Sequence, residues 1–380
     1  MPETILVIGA GYAGIGIAHK LLKDTLPKVP GLKVVLVSPS THHLWNIAVV
    51  RGIVPGQLGD EKLFQPVEPG FKRYPVDSFE FVLGTATHVS PDKNFVRVKT
   101  DGETLELKYT HLIVATGSSY PTRLPFTSIG TYQETLDALH GWRRKVEAAG
   151  SIVIAGAGPT GIETASELAC IYGQTKDITI IVPGNDPLPG LIPDVGKIAA
   201  NEMEKLNVKI RRNTRVTNVE KTGGQQTTIS LSDGSALQAD VYLPLFGTKA
   251  NSGFLPTTLL DDKGNLKLDS SLRVVGSENI WAAGDVGNLE PKQLIYAERQ
   301  ALHLAMNLDA VLTGAKERLS DLKPTVMPQL FVTIGQKKGT GQYNRFRVPG
   351  FIVSTVKGKT LFTEKAPGLV AGKNIVRSSI

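Results

Sequence analysis

Two segments of the chain share one pattern, in which a short apolar run leads into a glycine-rich stretch and then into apolar residues at helical spacing. The first segment begins with the apolar run 5–8 and the second with the run 151–155. A further apolar run follows each helical stretch, at residues 33–37 and 178–182. Continuous apolar runs are typical of strands buried on both faces of a parallel sheet. Each segment therefore predicts a strand, a glycine loop, a helix and a second strand.

The rest of the chain adds shorter apolar runs separated by turn residues, and one long stretch with helical periodicity at 294–312. The runs that predict strands lie at residues 81–83, 95–98, 112–114, 227–231, 239–245, 329–334 and 351–356. Strands that alternate with helices favour an α/β fold with parallel sheets. We therefore predict two Rossmann-like dinucleotide-binding domains, with the second inserted in the first, and a small C-terminal α+β portion.

The length and net charge of the chain indicate the number of domains and add little about its partners. A chain of 380 residues is longer than a single core usually serves, so two or three domains are expected. The net charge of +7 comes from basic residues that are scattered along the chain. A mixed solvated surface explains this charge, and we expect no nucleic-acid partner. Attraction to anionic phosphates or to an acidic membrane surface is the alternative.

The chain contains one cysteine, Cys170, so it has neither an internal disulfide framework nor a pair of redox cysteines. We interpret Cys170 as a core residue on an apolar helix face. No stretch of eighteen apolar residues predicts a transmembrane helix, and a strand-like run near residue 5 leaves no room for a signal peptide. Pro2 excludes N-myristoylation. A cytoplasmic protein is expected, and peripheral membrane contact stays open.

Both glycine stretches fit the dinucleotide-binding fingerprint, because each stands between an apolar run and a helical pattern. The pyrophosphate of a dinucleotide would meet the N-terminus of the following helix. The residues that form the two loops are Gly9, Ala10, Gly11, Tyr12, Ala13 and Gly14, and Gly156, Ala157, Gly158, Pro159, Thr160 and Gly161. The acidic residue expected after the second strand of each unit is absent: the first unit has Ser38, and the second has Pro183 to Asn185. The sequence therefore predicts no preference between NADH and NADPH.

With these motifs the chain resembles the FAD-dependent pyridine nucleotide-disulfide oxidoreductase superfamily, which has two dinucleotide folds. Two further marks carry the resemblance, residues 112–117 (Leu-Ile-Val-Ala-Thr-Gly) and 280–286 (Ile-Trp-Ala-Ala-Gly-Asp-Val). Within the superfamily the chain is most similar to the AMID or ferroptosis-suppressor group, relatives of apoptosis-inducing factor that reduce quinones with NAD(P)H. The segments that match this group are His42-His43, Asn46, Pro291-Lys292, Tyr296 and residues 357–362. Ser38 in place of an Asp, an extra Trp45 and Pro2 depart from that group.

The resemblance implies FAD on the first loop, and NADH or NADPH as co-substrate on the second. It implies an FAD-binding domain of residues 1–120 and 250–320, an NAD(P)H-binding domain of residues 121–249 and a C-terminal interface portion of residues 321–380. It also implies a set of cofactor-binding residues, namely Gly9, Ala10, Gly11, Tyr12, Ala13, Gly14, Ser38, Arg51, Ala86, Ala115, Thr116, Gly117, Gly156, Gly158, Gly161, Gly284, Asp285 and Val286.

Two residues are candidates for the reaction itself. By resemblance, Glu163 would lie near the nicotinamide and the flavin, and Lys357 near the reactive flavin ring. Glu163 as a partner of the helix dipole and Lys357 as a solvated surface lysine are the structural alternatives. His42 and His43 contact flavin or acceptor, or form a plain loop pair, and Trp45 lines a pocket or packs in the core. No metal site is expected, because no second cluster of ligand residues accompanies the histidines.

These expectations combine into one reaction. Hydride passes from NAD(P)H to FAD, and the electrons continue to a small acceptor that reaches the flavin itself, since no cysteine pair is available. By resemblance this acceptor is a quinone. An oxidase or monooxygenase of a specialised small molecule is the alternative within enzymes. A non-enzymatic signalling or nucleic-acid-associated flavoprotein is the alternative of another class. The oligomeric state cannot be predicted.

Overall fold

A computed structural model describes residues 3–221 and 226–373. Pro2, on which the expectation about N-myristoylation rests, and residues 374–380 of the predicted C-terminal portion lie outside the described residues. Among the helices of the described ranges, none is both long and apolar enough to cross a membrane.

The strands and helices of the described residues are numbered in chain order. The strands are β1 (Thr4–Ile8), β2 (Lys33–Ser38), β3 (His42–Leu44), β4 (Phe64–Pro66), β5 (Phe79–Leu83), β6 (Thr85–Ser90), β7 (Phe95–Lys99), β8 (Thr104–Lys108), β9 (His111–Val114), β10 (Ser118–Ser119), β11 (Ser151–Ala155), β12 (Asp177–Ile181), β13 (Lys209–Arg211), β14 (Val216–Lys221), β15 (Thr227–Leu231), β16 (Ala236–Ala239), β17 (Val241–Pro244), β18 (Lys249–Ala250), β19 (Ile280–Ala282), β20 (Gln329–Ile334), β21 (Lys338–Tyr343) and β22 (Phe346–Val348). The helices are α1 (Tyr12–Lys20), α2 (Val49–Gly52), α3 (Asp60–Leu63), α4 (Tyr132–Ala148), α5 (Pro159–Tyr172), α6 (Pro193–Lys205), α7 (Leu294–Leu312), α8 (Gly350–Val353) and α9 (Ala366–Val370).

The largest sheet has five parallel strands in the order β19-β9-β1-β2-β5. Its central strands β1 and β2 are almost entirely buried, because helix α1, which also packs against α7, and strands β6 and β8 lie against them. Trp281, in the edge strand β19, is fully buried. The sheet therefore combines strands from the first third of the chain with one strand that returns after residue 279.

A second parallel sheet has four strands in the order β13-β12-β11-β17 and is packed against α5. The helices α1 and α5 begin directly after the two glycine stretches, as the sequence pattern predicts. The α/β fold with two Rossmann-like sheets is thereby confirmed. The predicted run 239–245 is divided between β16 and β17, which belong to different sheets.

Small antiparallel sheets complete the molecule, with orders β6-β7-β8, β14-β15-β16, β20-β21-β22, β3-β4 and β10-β18. The pair β10-β18 joins the two segments of chain that run between the parallel sheets. The residue limits of the three proposed domains stay predictions.

The strand predicted at residues 351–356 is wrong. This stretch forms α8 and a π-helical turn, Ser354–Gly358. The buried side chains of Val353 and Leu361 and the largely buried side chain of Lys357 stand four residues apart, which is a helical spacing. Tertiary packing of that face overrides the β-propensity of the Val, Ile and Thr residues.

Candidate functional site

A cavity of about 1350 Å³ lies at the carboxyl ends of the five-stranded parallel sheet. Ligands of open α/β sheets bind at this edge, where the strand order reverses. The volume exceeds the roughly 300–1,000 Å³ that one small ligand usually occupies. The cavity therefore has room for more than one ligand. The predicted site residues that line it are Gly9, Ala10, Gly11, Tyr12, Ala13, Ser38, Ala86, Ala115, Thr116, Gly117, Glu163, Gly284, Asp285 and Lys357.

The first glycine loop has the features that a pyrophosphate needs. Gly9 has φ +109°, and a Cβ there would lie 2.5 Å from the carbonyl oxygen of Ala115. A Cβ on Gly14 would collide with the carbonyl oxygen of Gly9. Gly11, in contrast, has no atom within 4 Å of its Cβ position and faces the cavity. Two glycines thus serve the packing of the chain, and the middle one leaves open space beside the helix N-terminus, which fits FAD.

The second loop repeats this arrangement. A Cβ on Gly156 would collide with the carbonyl oxygen of Leu245, and one on Gly161 with that of Gly156, whereas Gly158 is open. None of these three glycines lines the cavity. Pro159, Thr160 and Glu163 do, so the start of α5 forms one wall.

Glu163 and Lys357 form a buried ion pair in the cavity wall, with Lys357 Nζ 2.6 Å from Glu163 Oε1. Lys357 also donates to the carbonyl oxygen of Phe331, at 3.0 Å. The same Glu163 oxygen accepts from the backbone N–H and the hydroxyl of Thr333, at 2.8 and 3.1 Å. Glu163 is 3% exposed and lies in the second turn of α5, past the first turn where the helix dipole acts most strongly. The pair holds a positive charge in a fixed position on the cavity wall.

Asp285 follows β19 at a turn in which Gly284 has φ +82°. Ser118 Oγ donates to Asp285 Oδ2 at 3.0 Å. Burial raises the pKa of Asp285, and the Ser118 hydrogen bond and the positive charge of Lys292 oppose that rise. Burial lowers the pKa of Lys292. The Asp285 carboxyl group lines the cavity, where it can take part in hydrogen bonds to a ligand.

His43 is packed edge-on against Tyr12, with ring centroids 4.6 Å apart. Its Nδ1–H donates to the carbonyl oxygen of Ala10 at 3.2 Å, so Nε2 is the unprotonated nitrogen. In the described part of the chain Nε2 is buried without a hydrogen-bond partner. Burial lowers the pKa of His43 to about 4. His42 also lines the cavity and is stacked on Tyr132, with centroids 3.9 Å apart.

Trp45 both lines the cavity and is packed in the core, at 2% exposure. Its indole Nε1–H donates to the carbonyl oxygen of Leu361 at 2.9 Å. Leu361 and Phe362 both have positive φ, 52° and 57°, which is unusual for residues other than glycine. The indole hydrogen bond holds this strained turn, and Phe362 lines the cavity.

Arg51 does not line the cavity. Its Nε and Nη2 atoms lie 2.9 and 2.7 Å from the two carboxylate oxygens of Glu167, and both side chains are buried. Nη2 also donates to the carbonyl oxygen of Gly358, and Nη1 donates to that of Lys359. Four of the five guanidinium N–H groups are therefore used by other residues of the described chain.

Other predicted residues also differ in placement. Ser38 lines the cavity, but its hydroxyl donates to the carbonyl oxygen of Ser40 and accepts from the Ser40 N–H, so it is used within its own turn. Gly14 and Val286 do not line the cavity. Cys170 is exposed, so its interpretation as a core residue is wrong: it lies near the C-terminal end of α5, where the helix leaves the core.

The cavity residues that were not singled out as site residues from the sequence include the charged or aromatic residues Lys292, Glu298, Phe362 and Lys365. Lys292 and Phe362 lie in segments that match the AMID or ferroptosis-suppressor group, so the sequence contained a signal for these two residues. Glu298 lies beside the apolar stripe of α7, and no local pattern distinguishes it from a surface residue. No group of three or more His, Cys, Asp or Glu side chains within residues 3–221 and 226–373 is placed to hold a metal ion.

A sequence model described as pyridine nucleotide-disulphide oxidoreductase matches residues 3–301. Oxidoreductase ptaL of Pestalotiopsis fici is 40% identical, over 97% of this chain and 99% of its own. Ferroptosis suppressor protein 1 of Taeniopygia guttata is 27% identical, over 95% and 94%. The structure of the sulfide:quinone oxidoreductase from Aquifex aeolicus has a similar fold, with a TM-score of 0.76, 17% identity, and coverage of 99% of this chain and 93% of that one.

Proposed function

Because the chain belongs to the pyridine nucleotide-disulphide oxidoreductase family, we propose that it passes electrons from NAD(P)H to a small quinone-type acceptor inside the shared cavity. It is an FAD-dependent oxidoreductase with NAD(P)H as its reductant. FAD, when bound, supplies the two-electron carrier between the two substrates. The acceptor is the part of this function that requires a test.

One observation carries the proposal. The whole chain has only one cysteine, and the Glu163–Lys357 ion pair lies in the wall of the cavity. Electrons therefore cannot leave through a protein disulfide, as the family name would suggest. Cys170 is itself exposed. The acceptor must enter the cavity and reach FAD directly.

The cavity walls suit a flat aromatic acceptor. Tyr12, Trp45 and Phe362 line it, and aromatic rings favour offset or edge-on packing with another ring. The quinone chemistry named for the Aquifex aeolicus enzyme of similar fold supports the same class of acceptor.

We assign roles to the chain's own residues on this basis. Gly11 would leave room for the FAD pyrophosphate, and Asp285 would accept hydrogen bonds from the ribityl hydroxyls. The loop before α5 would hold NAD(P)H, with Glu163 near the nicotinamide. The ammonium of Lys357 would favour negative charge on a flavin bound beside it.

The test is anaerobic mixing of the purified protein with NADH, and separately with NADPH, while flavin absorbance near ~450 nm is followed. A short-chain benzoquinone is then added. Bleaching by a nucleotide followed by recovery with the quinone supports the proposal and identifies the preferred nucleotide. Bleaching without recovery would contradict the quinone assignment.

A further inference from the structure

Three carboxyl groups line the cavity, those of Glu163, Asp285 and Glu298. Glu163 is paired with Lys357, and Asp285 accepts from Ser118. Glu298 has no hydrogen bond or ion pair with any residue in the described ranges. Polar groups in protected positions usually have a partner, so an unpaired carboxyl in a ligand cavity calls for a role.

Glu298 lies in the second turn of α7 and lines the same cavity as Tyr12 of α1 and Lys365 of the C-terminal segment. Burial and, after it, the charge of Glu298 raise the pKa of Tyr12, and the charge of Lys365 opposes the rise that burial causes in the pKa of Glu298. The Lys365 ammonium itself lies 4.5 Å from the ring centroid of Phe362. Glu298 therefore faces the aromatic end of the cavity, where we place the acceptor.

Two other titratable groups that line the cavity, Tyr12 and His43, do not suit proton donation. The Tyr12 hydroxyl is committed to Asn46 Oδ1, at 3.0 Å, and burial raises its pKa above the ordinary tyrosine value. His43 has a pKa lowered to about 4 and is neutral near pH 7. Burial raises the pKa of Glu298, which favours its protonated form. Its side chain is neither fully buried nor fully exposed, so it can take a proton from solvent.

We propose that Glu298 is the general acid of the acceptor step, and that its carboxyl O–H gives its proton to an oxygen of the bound acceptor. This inference rests on the proposed function. Reduction of a quinone to a hydroquinone takes two electrons and two protons. The hydride from NAD(P)H accounts for two electrons and one proton. The second proton comes from Glu298, whose carboxylate then takes one back from solvent.

The test compares Glu298→Gln, which keeps the shape of the side chain and removes the acidic proton, with wild type. Glu317→Gln is the matched control, since Glu317 is exposed and follows α7 outside the cavity. Each protein is assayed for bleaching by NADH, for turnover with a short-chain benzoquinone, and for turnover with ferricyanide, which takes electrons without protons. In Glu298→Gln, quinone turnover should fall about 100-fold, while bleaching and ferricyanide turnover stay within about twofold. Glu298→Asp should restore part of the quinone rate.

Unchanged quinone turnover in Glu298→Gln would overturn the inference, and so would an equal loss with ferricyanide. Wild-type protein that NADH bleaches but quinone does not reoxidise would instead overturn the proposed acceptor, and this inference with it. If Glu298→Gln does not retain FAD, the rates of wild-type turnover with quinone and with ferricyanide are compared in H₂O and D₂O instead. Quinone turnover should slow by about twofold or more and ferricyanide turnover should not. Equal slowing of both would contradict a proton-donating step.

Discussion

At the scale of single residues, Lys357 carries the clearest electrostatic role. Its ammonium is held by Glu163 and by a backbone carbonyl, so its position in the cavity is fixed before any ligand arrives. Removing one such fixed donor from an active site typically costs about 100-fold in rate. Lys357→Met should therefore slow bleaching by NADH by about 100-fold. The measurement is stopped-flow absorbance of FAD under anaerobic conditions.

Lys359→Met is the matched control for this prediction. Lys359 belongs to the same segment, but its side chain is exposed, and the hydrogen bonds it makes to described residues come from its backbone: the N–H donates to Ser354 and the carbonyl accepts from Arg51. This variant should bleach at the wild-type rate. A wild-type rate in Lys357→Met as well would show that the pair is structural.

His19 gives the fold a dependence on pH that is independent of the cavity. It is fully buried, its ring is stacked on Phe71, and its nitrogens contact the Tyr74 hydroxyl and the Val370 carbonyl oxygen. Burial lowers its pKa to about 4. Between pH 6.5 and 4 the unfolded chain therefore binds a proton at His19 that the folded chain does not, and stability falls as the pH falls through this window. The loss is on the order of 3 kcal/mol by pH 4.

Thermal unfolding at pH values between 7 and 4.5 measures this effect. His19→Gln should lower the melting temperature at pH 7 and should flatten its fall toward acid pH. Part of the fall should persist, because the pKa of His43 is lowered in the same direction. His88 is exposed, so His88→Gln should leave the slope unchanged. Equal slopes in wild type and His19→Gln would refute the assignment.

At the scale of secondary-structure elements, Arg51 joins three parts of the chain. Arg51 lies in α2 and forms an ion pair with Glu167 of α5. It also donates to the carbonyl oxygens of the two residues that follow Lys357 in the C-terminal segment. Glu163 and Glu167 are one helical turn apart on α5, so the two buried ion pairs attach the C-terminal segment to the same helix. We therefore assign Arg51 a positioning role for Lys357, and the flavin contact implied by the resemblance stays a prediction.

Arg51→Met should lower the free energy of unfolding by about 3–5 kcal/mol, because it leaves the Glu167 carboxylate buried without its partner. The double variant with Glu167→Met should recover much of this loss. Denaturant-induced unfolding measures both. The surface pair Lys28–Asp309 is the control, and Lys28→Met should cost about 0–1 kcal/mol. A cost in Arg51→Met no larger than that of the control would contradict the role of the buried pair.

The elements that were predicted correctly are those whose signals are local. The strands β1 and β11 and the helices that follow them are encoded by adjacent residues, an apolar run followed by glycines that permit the turn. The segment 351–356 was predicted as a strand because its residues favour strands. In its helical form Val353 packs against Gly339 of β21, a contact outside the segment itself. Glu298 and Lys365 line the same cavity although they are far apart in the sequence, which no local pattern could reveal.

At the scale of the whole molecule, one strand of each of the two parallel sheets is followed by a glycine loop of the same kind. A substitution in one loop can therefore test one dinucleotide site without changing the other. The middle glycines, Gly11 and Gly158, have no atom within 4 Å of their Cβ positions. A methyl group there meets no protein atom, so neither Gly11→Ala nor Gly158→Ala should prevent folding. Each methyl would instead occupy the space that we assign to a pyrophosphate.

Gly11→Ala should therefore lose FAD on gel filtration. Gly158→Ala should retain FAD but require at least about 10-fold more NADH for half-maximal bleaching. This increase corresponds to a loss of about 1.4 kcal/mol in the free energy of NADH binding. Circular dichroism of both variants checks that the fold is intact. Gly102→Ala is the control, because its Cβ position is also open and its φ is not positive, while the residue lies outside the cavity and outside both loops. Loss of FAD from Gly158→Ala with retention in Gly11→Ala would reverse the assignment of the two domains. Such a result would place the nicotinamide site on the first sheet, and the roles of Glu163 and Asp285 would have to be exchanged with it.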